Sequence, residues 1–563
     1  MTRIVRRSLI GAIAGALASL VVLPTLRYPV PLFFLAIVVG SSFSLSMEPT
    51  RDTYVDSMMT AGALGVPLWA VVTIVVLPLF RGNMPEWSAE EMRQHFPVLV
   101  GWVLYGSTLG LLTQAFSDLA QKVLGPEPMP LIAESAPKTR VVILGGGFAG
   151  MKTAECLEDE LRTNPSVSIS VVSDTNALLF TPMLAEVAGG SLEPSHISTP
   201  LRTSLHRTEF IRGHVASVDL EKKRVVLEGT IGEPGEREIA YDHLVLALGS
   251  VSNYLGLTNV EQRAFDFKTL IDAIRIRNHV IEMFERADRE SDPAVRKSLL
   301  TFVIAGGGFA GVELAGALND FARGILADYP NLHNDDVRIV LVHARDRILP
   351  ELSESLGRYA QKKMAARGVE FHLNARLNDA QPGKVVVSDG EIPSETLVWT
   401  AGTIPSPLVK TLGIETDRRG AIIVDPALAV PGHAGVWALG DCAAVFDAKN
   451  KTACPPTAQF ALREAAALAR NIRASIEDRP TSGFHFDSLG ALCVVGYQTA
   501  CAELTVPFAR SKSMRFSGLL AWFMWRGIYL GKLPGLERKV RVLVDWTVEL
   551  FFPKDIVQTI ELQ

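Results

Sequence analysis

The stretch TRVVILGGGFAG occupies residues 139–150, and a close repeat, TFVIAGGGFAG, occupies residues 301–311. Each stretch places a β-branched run before the pattern G-x-G-x-x-G and a helix-like segment after it. The first glycine makes a tight turn after a strand, the second lets a pyrophosphate approach the backbone, and the third lets the helix pack on the strand. The phosphates then lie at the helix N-terminus, where free N–H groups favour negative charge. The candidate residues are Gly145, Gly147, Phe148, Ala149 and Gly150 in the first turn, and Gly306, Gly308 and Gly311 in the second.

Two such turns predict two dinucleotide sites, whereas one alone would be a weak signal because glycine-rich turns are common. The usual pair in one chain is a bound flavin and an exchangeable nicotinamide. The sequence therefore predicts an α/β fold with two Rossmann-like domains, one for FAD and one for NAD(P)H, of the two-dinucleotide-binding flavoprotein type. The alternative is that both stretches are structural turns without a ligand.

The ends of the following strands predict the contacts to ribose. An acid at this place can accept a hydrogen bond from a ribose hydroxyl. The first strand, at residues 167–172, ends at Ser173 and Asp174, which fits roughly. The second, at residues 337–342, ends at His343 without a carboxylate, and arginines follow. A 2′-phosphate would be repelled less there, so the choice between NADH and NADPH stays open, as does the alternative that these arginines are solvated surface charges.

The composition argues against several other classes of protein. Hydrophobic residues make up 48% of the 563 residues, which is high for a soluble enzyme and low for a protein buried entirely in a membrane. The net charge of −5, with scattered basic residues, gives no sign of a nucleic-acid partner. Five cysteines without C-x-x-C spacing argue against a disulfide framework and a metal site, and they predict reduced thiols.

Four apolar stretches, at residues 8–26, 30–47, 59–80 and 96–116, precede the first glycine turn. Each approaches the length of a bilayer span, although the first two also suit a re-entrant hairpin and the first suits a cleaved signal peptide. Their interiors carry no acid or base, which predicts an anchor rather than an ion path. The positive-inside rule favours a cytoplasmic N-terminus and hence a catalytic domain on the cytoplasmic side of the inner membrane, because of Arg3, Arg6 and Arg7.

The segment at residues 519–553 mixes large aromatic rings with basic residues, which is typical of a helix lying on the bilayer surface. An ordinary core-packing helix with a charged outer face is the alternative. The predicted domains are about four transmembrane helices at 1–120, a linker at 121–138, an FAD-binding domain at 139–264 and 389–480, an NAD(P)H-binding domain at 265–388, and a membrane-contacting region at 481–563.

From residue 140 onward the sequence resembles the type II NADH:quinone oxidoreductases, over about three quarters of the chain. The matching strings follow the family's order, and they are LFTPMLAEVAGG, YDHLVLALGS, GGGFAGVELAG, LVWTAG, GVWALGDCA, PPTAQFA and AWFMWRGIYL. The resemblance implies non-covalent FAD, hydride transfer from NADH, and reduction of a quinone without proton pumping. It implies membrane lipid and quinone as partners, and a homodimer follows from the resemblance alone.

The resemblance also assigns roles residue by residue. The first turn would hold the FAD pyrophosphate and the second that of NADH, while Asp441, after Gly440, would contact the flavin's ribityl or phosphate region. Glu313 matches a glutamate near the contact of nicotinamide and flavin, and Gln459 lies on the quinone side. Gly402, which ends LVWTAG, is a further cofactor-binding candidate.

Two of these residues have simpler explanations. Glu313 lies in the first turn of a predicted helix, where a carboxylate is favoured by the dipole. Beside a buried cofactor it could instead transfer a proton or position the ring. Asp441 could be an N-cap rather than a flavin contact.

Arg463 departs from the family, because an amide is expected there near the quinone head group. A cation could donate to a quinone carbonyl, block the site or change the acceptor. A disulfide reductase is disfavoured, because Cys156 stands alone after the first turn. The remaining alternative is a membrane-anchored flavin-containing redox sensor, or an oxidoreductase with a different acceptor.

Overall fold

The computed structural model describes residues 3–22, 29–46, 53–80, 82, 96–125, 137–229, 237–505 and 513–558. Residues 126–136, most of the predicted linker, lie outside this described part, as do the side chains of Arg3 and Phe551. The chain divides into two compact units, of which the first comprises Met1–Met129 and Pro534–Val544. The second comprises Pro130–Leu533 and Asp545–Gln563.

The apolar stretches of the first unit are helical. By length and composition alone, two helices of the described residues could cross a membrane, and two such helices are a weak indication by themselves. They run over Tyr54–Leu79 and Pro97–Leu124. The helical segments of this region are Arg3–Val22, Pro29–Ser46, Tyr54–Leu68, the π-helix Trp69–Val76, Leu77–Phe80 and Phe96–Leu124.

Glycines let these helices touch backbone to backbone. A Cβ on Gly11 would lie 2.2 Å from the carbonyl oxygen of Gly40, so the first two helices meet without side chains between them. A Cβ on Gly106 would lie 2.0 Å from the carbonyl oxygen of Ala61, so helices Tyr54–Leu68 and Phe96–Leu124 are equally close. Helices associate in this way in membranes, where packing replaces the hydrophobic effect as the driving force.

The first glycine turn belongs to a parallel five-stranded sheet. Its central strand, Thr139–Leu144, leads through the turn into helix Phe148–Glu160 and pairs with its neighbour from Thr139 opposite Val167 to Leu144 opposite Val172. The apolar strands are buried on both faces, as parallel strands are. In sheet order the strands are Val436–Ala438, His243–Leu246, Thr139–Leu144, Val167–Ser173 and Glu209–Arg212.

The second glycine turn repeats this arrangement. Strand Thr301–Ala305 is central and leads through the turn into helix Phe309–Gly324. Both sheets place the strand with the glycine turn third of five, so both have the Rossmann pattern in which a ligand lies beyond the carboxyl ends of the strands. The strands in sheet order are Phe265–Asp266, Thr396–Trp399, Thr301–Ala305, Arg338–His343 and Val369–Leu373.

The second sheet extends past the boundary expected at residue 388. Strand Thr396–Trp399 pairs with Thr301–Ala305, so it belongs to the nicotinamide domain and not to the second part of the FAD domain. The chain returns with strand Thr403–Pro405, which pairs with Ser250–Ser252. A three-stranded antiparallel sheet at residues 377–393 separates this strand along the chain from the other strands of its parallel sheet.

Antiparallel strands and further helices complete the second unit. Each dinucleotide domain carries a three-stranded antiparallel sheet, and a third such sheet leads into the C-terminal helices. These sheets are Val215–Asp219 with Arg224–Leu227 and Arg237–Ala240, Leu377–Gln381 with Lys384–Val387 and Gly390–Pro393, and Gly490–Val494 with Ala500–Thr505 and Ser513–Gly518. Two-stranded pairs join Ala177–Leu179 to Ser198–Pro200 and Ile422–Ile423 to Ala443–Ala444. The remaining α-helices are Leu184–Ala188, Leu201–Ser204, Thr258–Arg263, Leu270–Arg289, Pro293–Leu299, Glu354–Ala365, Ala458–Ile476, Leu519–Lys532 and Leu536–Phe551.

Candidate functional site

The first glycine turn is shaped for a pyrophosphate. Gly145 has φ +111°, and a Cβ there would meet the carbonyl oxygen of Ala247 at 2.2 Å. A Cβ on Gly150 would meet the carbonyl oxygen of Gly145 at 1.9 Å, whereas one on Gly147 would meet nothing within 4 Å. The first and third glycines are therefore required by the fold, and the second faces open space before the helix that begins at Phe148. This open space suits the FAD pyrophosphate.

The second turn has the same shape but a different neighbour. Gly306 has φ +120°, and a Cβ on Gly311 would meet the carbonyl oxygen of Gly306 at 1.9 Å. A Cβ on Gly308 would lie 3.1 Å from Oε1 of Glu351, which sequence reasoning did not single out. Burial raises the pKa of Glu351, against the opposing effect of nearby arginines. A carboxylate therefore borders the place where the NADH pyrophosphate is expected.

Ser173 and His343 occupy equivalent places at the two strand ends. A Cβ on Gly146 would lie 2.8 Å from Oγ of Ser173, and one on Gly307 would lie 2.7 Å from Cγ of His343. Each side chain thus packs on the middle of its glycine turn. Asp174 is exposed, and its carboxylate accepts a hydrogen bond from the next backbone N–H at 2.9 Å.

Asp441 takes part in a small polar network. Oγ of Ser250 donates to Oδ2 of Asp441 at 2.7 Å, and Nζ of Lys268 donates to the same Oγ at 2.6 Å. Burial lowers the pKa of Lys268, and the charge of Asp441 partly offsets this. Asp441 lies inside the short 3-10 helix Gly440–Cys442 rather than capping it. Gly402 lies on the neighbouring loop, where its carbonyl oxygen accepts from the N–H of Asn253 at 3.0 Å.

Glu464 is a buried acid of this region that sequence reasoning missed. Its Oε2 accepts a hydrogen bond from the N–H of Gly440 at 2.8 Å, so it fixes the residue before Asp441. Burial raises the pKa of Glu464 to about 7, the Gly440 N–H lowers it, and Asp441 raises it. Spacing was the signal that could have found it, because Ala461, Glu464 and Leu468 lie on one buried face of helix Ala458–Ile476.

The two quinone-side candidates, Gln459 and Arg463, contact different parts of the chain. Nε2 of Gln459 donates to the carbonyl oxygen of Gly490 at 3.1 Å, and its Oε1 accepts from the N–H of Leu489 at 3.0 Å. Gln459 thus ties the helix start to the C-terminal sheet. Arg463 is exposed, and its guanidinium carbon lies 5.4 Å from the ring centre of Phe486.

Glu313 reaches the C-terminal sheet. Its Oε1 accepts a hydrogen bond from the N–H of Val494 at 3.2 Å. Burial raises the pKa of Glu313 to about 8, the Val494 N–H lowers it, the charge of Glu186 raises it, and Trp525 lowers it. The carboxyl group therefore keeps its proton at neutral pH. Because its hydrogen bond goes to another element, a capping role in its own helix does not describe it.

Glu186 and Arg526 form a second buried cluster that was not expected as a site. Their side chains are each 13% exposed, and Oε1 of Glu186 lies 3.8 Å from Nη2 of Arg526. Nη2 of Arg526 also lies 3.1 Å from Oε2 of Glu549, and Nε1 of Trp546 donates to Oε2 of Glu186 at 3.0 Å. Burial raises the pKa of Glu186 to about 7, against the effect of Arg526. The string LFTPMLAEVAGG contained Glu186, but its partners lie more than three hundred positions away along the chain.

Aromatic rings connect the first glycine turn to the C-terminal helices. The ring centres of Phe148 and Phe180 are 5.7 Å apart, and those of Phe180 and Tyr529 are 6.2 Å apart. Tyr529 in turn lies 4.8 Å from Trp525, the residue beside Glu313. The guanidinium carbon of Arg526 lies 4.0 Å from the ring centre of Trp522. Tyr529 of helix Leu519–Lys532 therefore packs against the flavin domain, and Trp525 packs against Tyr529.

The described cysteines form no redox-active pair with exposed sulfur. All five are free, and Cys493 lies opposite Cys501 on neighbouring antiparallel strands, both buried. Burial raises the pKa of both thiols. A thiol that stays protonated in an apolar environment is a poor nucleophile, so this pair gives no support to a disulfide reductase.

Comparison with known proteins agrees with this geometry. The family model for pyridine nucleotide-disulphide oxidoreductases matches residues 139–465, and that for the NDH2 C-terminal domain matches residues 489–555. The type II NADH:quinone oxidoreductase Ndh of Mycobacterium tuberculosis is 31% identical over 76% of this chain and 90% of its own length. The chain belongs to the type II NADH:quinone oxidoreductase family. A probable NADH dehydrogenase of Dictyostelium discoideum is 33% identical over 74% of this chain and 90% of its own length.

Solved structures share the fold of this family member. The structure of NDH2 from Plasmodium falciparum in complex with NADH has a TM-score of 0.67 at 17% identity, and the match covers 75% of this chain and all of that one. The sulfide:quinone oxidoreductase from Aquifex aeolicus has a TM-score of 0.56 at 20% identity, over 73% of this chain and 95% of that one. At such identities the likeness concerns the fold.

Proposed function

We propose that this chain is an FAD-dependent NADH:quinone oxidoreductase of the non-proton-pumping kind. Two glycine turns of the same shape, in sheets of the same order, are what two dinucleotides require. The observation that carries the proposal is the bond from Val494 to Glu313, because it brings an acid of the nicotinamide domain to the C-terminal sheet. That sheet and the helix after it belong to the part of the chain matched by the family's C-terminal model.

The protein's own residues would hold and orient the cofactors. Gly147 leaves space for the FAD pyrophosphate at a helix N-terminus, and Gly308, with Oε1 of Glu351 beside it, would border the NADH pyrophosphate at the second helix N-terminus. Asp441 would accept hydrogen bonds from FAD. Ser250 donates a hydrogen bond to its carboxylate, and Glu464 accepts one from the N–H of the preceding residue, Gly440. Bound FAD supplies the chemistry of accepting hydride and delivering electrons to a quinone.

Glu313 is proposed to hold the proton that the reaction consumes. Oxidation of NADH by a quinone takes one proton from solution, since NADH + H⁺ + quinone gives NAD⁺ + quinol. A carboxyl group with a pKa of about 8 is protonated at neutral pH and can release its proton without a large cost. Gln459 holds the neighbouring loop at Gly490, and Arg463 on the same helix is available to a quinone carbonyl.

The first unit is proposed to anchor the enzyme in the inner membrane, with the catalytic domain on the cytoplasmic side. Large apolar side chains cover the outer faces of its helices, among them Leu9, Ile13, Phe34, Val38 and Leu104. Exposing so large an apolar surface to water is unfavourable, whereas contact with lipid chains is favourable. Trp522 and Arg526 of helix Leu519–Lys532 are buried in the second unit, so exposed apolar side chains such as Leu520 would provide its contact with the bilayer surface. A homodimer is a further proposal, which mass measurement of the detergent complex would test.

The test is made on the full-length chain purified in detergent. We expect a flavin spectrum, bleaching of the flavin by NADH, and recovery of the spectrum when a short-chain quinone is added. Bound flavin that NADH does not bleach would overturn the proposal. Bleaching without recovery by quinone would favour the alternative of a sensor or of a different electron acceptor. Release of the chain from membranes by high salt alone would contradict the anchor.

A further inference from the structure

The two glycine turns differ in the surroundings of their second glycine. A Cβ on Gly147 would meet nothing within 4 Å, whereas one on Gly308 would lie 3.1 Å from Oε1 of Glu351 and 4.0 Å from its Cδ. Each of these glycines directly precedes a helix, whose first N–H groups have no partner within the helix and attract an anion. The anion site at the first turn is therefore open, whereas the anion site at the second turn has a carboxylate beside it.

The loop that carries Glu351 is fixed to the second turn by hydrogen bonds. The backbone N–H of Leu349 donates to the carbonyl oxygen of Gly307 at 2.7 Å, and the N–H of Leu352 donates to the carbonyl oxygen of Leu349 at 3.0 Å. Nη1 of Arg347 donates to the carbonyl oxygens of Leu349 at 3.3 Å and Leu352 at 3.0 Å. The backbone of Glu351 is thus held beside the turn, and its carboxylate moves mainly by rotation of the side chain.

Glu351 is exposed, so its carboxyl group can exchange a proton with solvent. Partial desolvation raises its pKa, against the effects of Arg345 and Arg347 in the same loop. The other ionisable groups around it are His343 at the strand end, Glu313 in the following helix, Glu354 in the next helix, and Cys493 and Glu503 in the C-terminal sheet. A diphosphate at this turn would bring further negative charge beside Glu351 and would be repelled by it. Bound diphosphate would therefore favour the protonated form of this carboxyl group.

We propose that Glu351 weakens the binding of the NADH pyrophosphate, so that NAD⁺ leaves after each turnover while FAD, at a turn without such an acid, stays bound. The same contact makes binding depend on pH, because Glu351 takes a proton from solvent when NADH binds and returns it when NAD⁺ leaves. An exchangeable dinucleotide benefits from this repulsion, since product that binds too tightly is released slowly. The inference rests on the proposed function, because it concerns the reductant of the same site.

Calorimetry with ADP-ribose tests this contact without the reaction, because the probe has the diphosphate and lacks the nicotinamide ring. In the full-length enzyme in detergent, Glu351→Gln should bind ADP-ribose about tenfold more tightly than the wild type at about pH 7.5, as expected when one screened like charge is removed. The wild-type affinity should fall as the pH rises from about 5 to 7, the range into which the pKa of Glu351 is raised, and that of Glu351→Gln should stay nearly constant. Glu354→Gln, an exposed acid three residues further along, is the matched control and should bind as the wild type does.

Steady-state kinetics with a short-chain quinone provide a second measurement. Glu351→Gln should lower KM for NADH by about tenfold without raising kcat, because the pyrophosphate is bound equally in the ground state and the transition state. The FAD content should equal that of the wild type, since the first turn does not contact Glu351. A simultaneous loss of FAD would show that the substitution disturbs more than the second turn, and it would overturn the assignment.

The direction of the change in affinity decides the inference. Weaker binding of ADP-ribose by Glu351→Gln would show that the carboxylate accepts a hydrogen bond from a ribose hydroxyl instead, and this result overturns the inference, as does equal affinity. If ADP-ribose binds as expected and NADH does not bleach the flavin, the proposed function fails and the repulsive contact stands. If ADP-ribose binds neither protein, the inference fails whatever the result with NADH.

Discussion

The carboxylate of Glu313 accepts a hydrogen bond from the backbone N–H of Val494 at 3.2 Å, although the two residues are 181 positions apart. Glu313 comes from the helix that follows the nicotinamide turn, and Val494 ends the first strand of the C-terminal sheet. The acid is therefore fixed by two parts of the chain at once. The surrounding protein shields the carboxyl group from much of the solvent, and this desolvation raises its pKa.

Replacing Glu313 by Gln should remove a pH-dependent step. The wild-type rate of quinone reduction is expected to fall as the pH rises through about 8, where Glu313 loses its proton. In Glu313→Gln this fall should disappear, and the rate at pH 7 should drop by about a hundredfold, the size of a general-acid contribution. Steady-state rates between pH 6 and 9 provide the measurement. The exposed Glu395→Gln serves as control, and an unchanged profile in Glu313→Gln would contradict the role.

Glu464 should make stability depend on pH. Its pKa is about 7 in the folded protein against an ordinary value of 4.5, so the folded state binds more protons between these values. Stability should therefore fall as the pH rises from about 5 to 8. Glu464→Gln, which keeps an oxygen for the Gly440 N–H, should unfold at a higher temperature than the wild type at pH 8. Its advantage should vanish at pH 5, and the same advantage at both values would refute the assignment.

Substitutions in the first glycine turn should separate folding from cofactor binding. A methyl group on Gly147 meets no protein atom within 4 Å, so Gly147→Ala should fold and retain less FAD. A methyl group on Gly150 would lie 1.9 Å from the carbonyl oxygen of Gly145, so Gly150→Ala should be less stable even without FAD. Flavin absorbance per protein and thermal unfolding distinguish the two. Gly527→Ala, also without a close contact, is the control, and equal behaviour of the two turn variants would count against this division.

Arg526 is expected to be important for stability. Arg526→Met would leave the buried carboxylates of Glu186 and Glu549 without this guanidinium, which should cost about 3–5 kcal/mol. Adding Glu186→Gln to this variant should recover part of the loss, because the charge of Glu186 is then removed, whereas Glu549 keeps its ion pair with Lys554 at 2.7 Å. The temperature of flavin release measures both effects. The exposed Arg515→Met is the control, and a double variant no more stable than Arg526→Met would show that Glu186 and Arg526 are not coupled.

Local patterns in the sequence by themselves determined the glycine turns, the family and the helical character of the apolar stretches. The turns at Gly145 and Gly306 were predictable because strand, tight turn and helix N-terminus are set by neighbouring residues, and the family followed from strings in a fixed order. The helical nature of the apolar stretches was predictable for the same reason.

Only the tertiary structure decided which distant segments of the chain contact each other and which carboxyl groups become buried. Sequence spacing could not show that Glu186 meets Arg526, that Glu464 holds Gly440, or that strand Thr396–Trp399 completes the second sheet. Each of these depends on segments distant along the chain that fold together. The raised pKa values of Glu313 and Glu464 likewise arise only when the fold removes the carboxyl groups from water, because a residue's identity fixes its chemistry but its surroundings fix its charge.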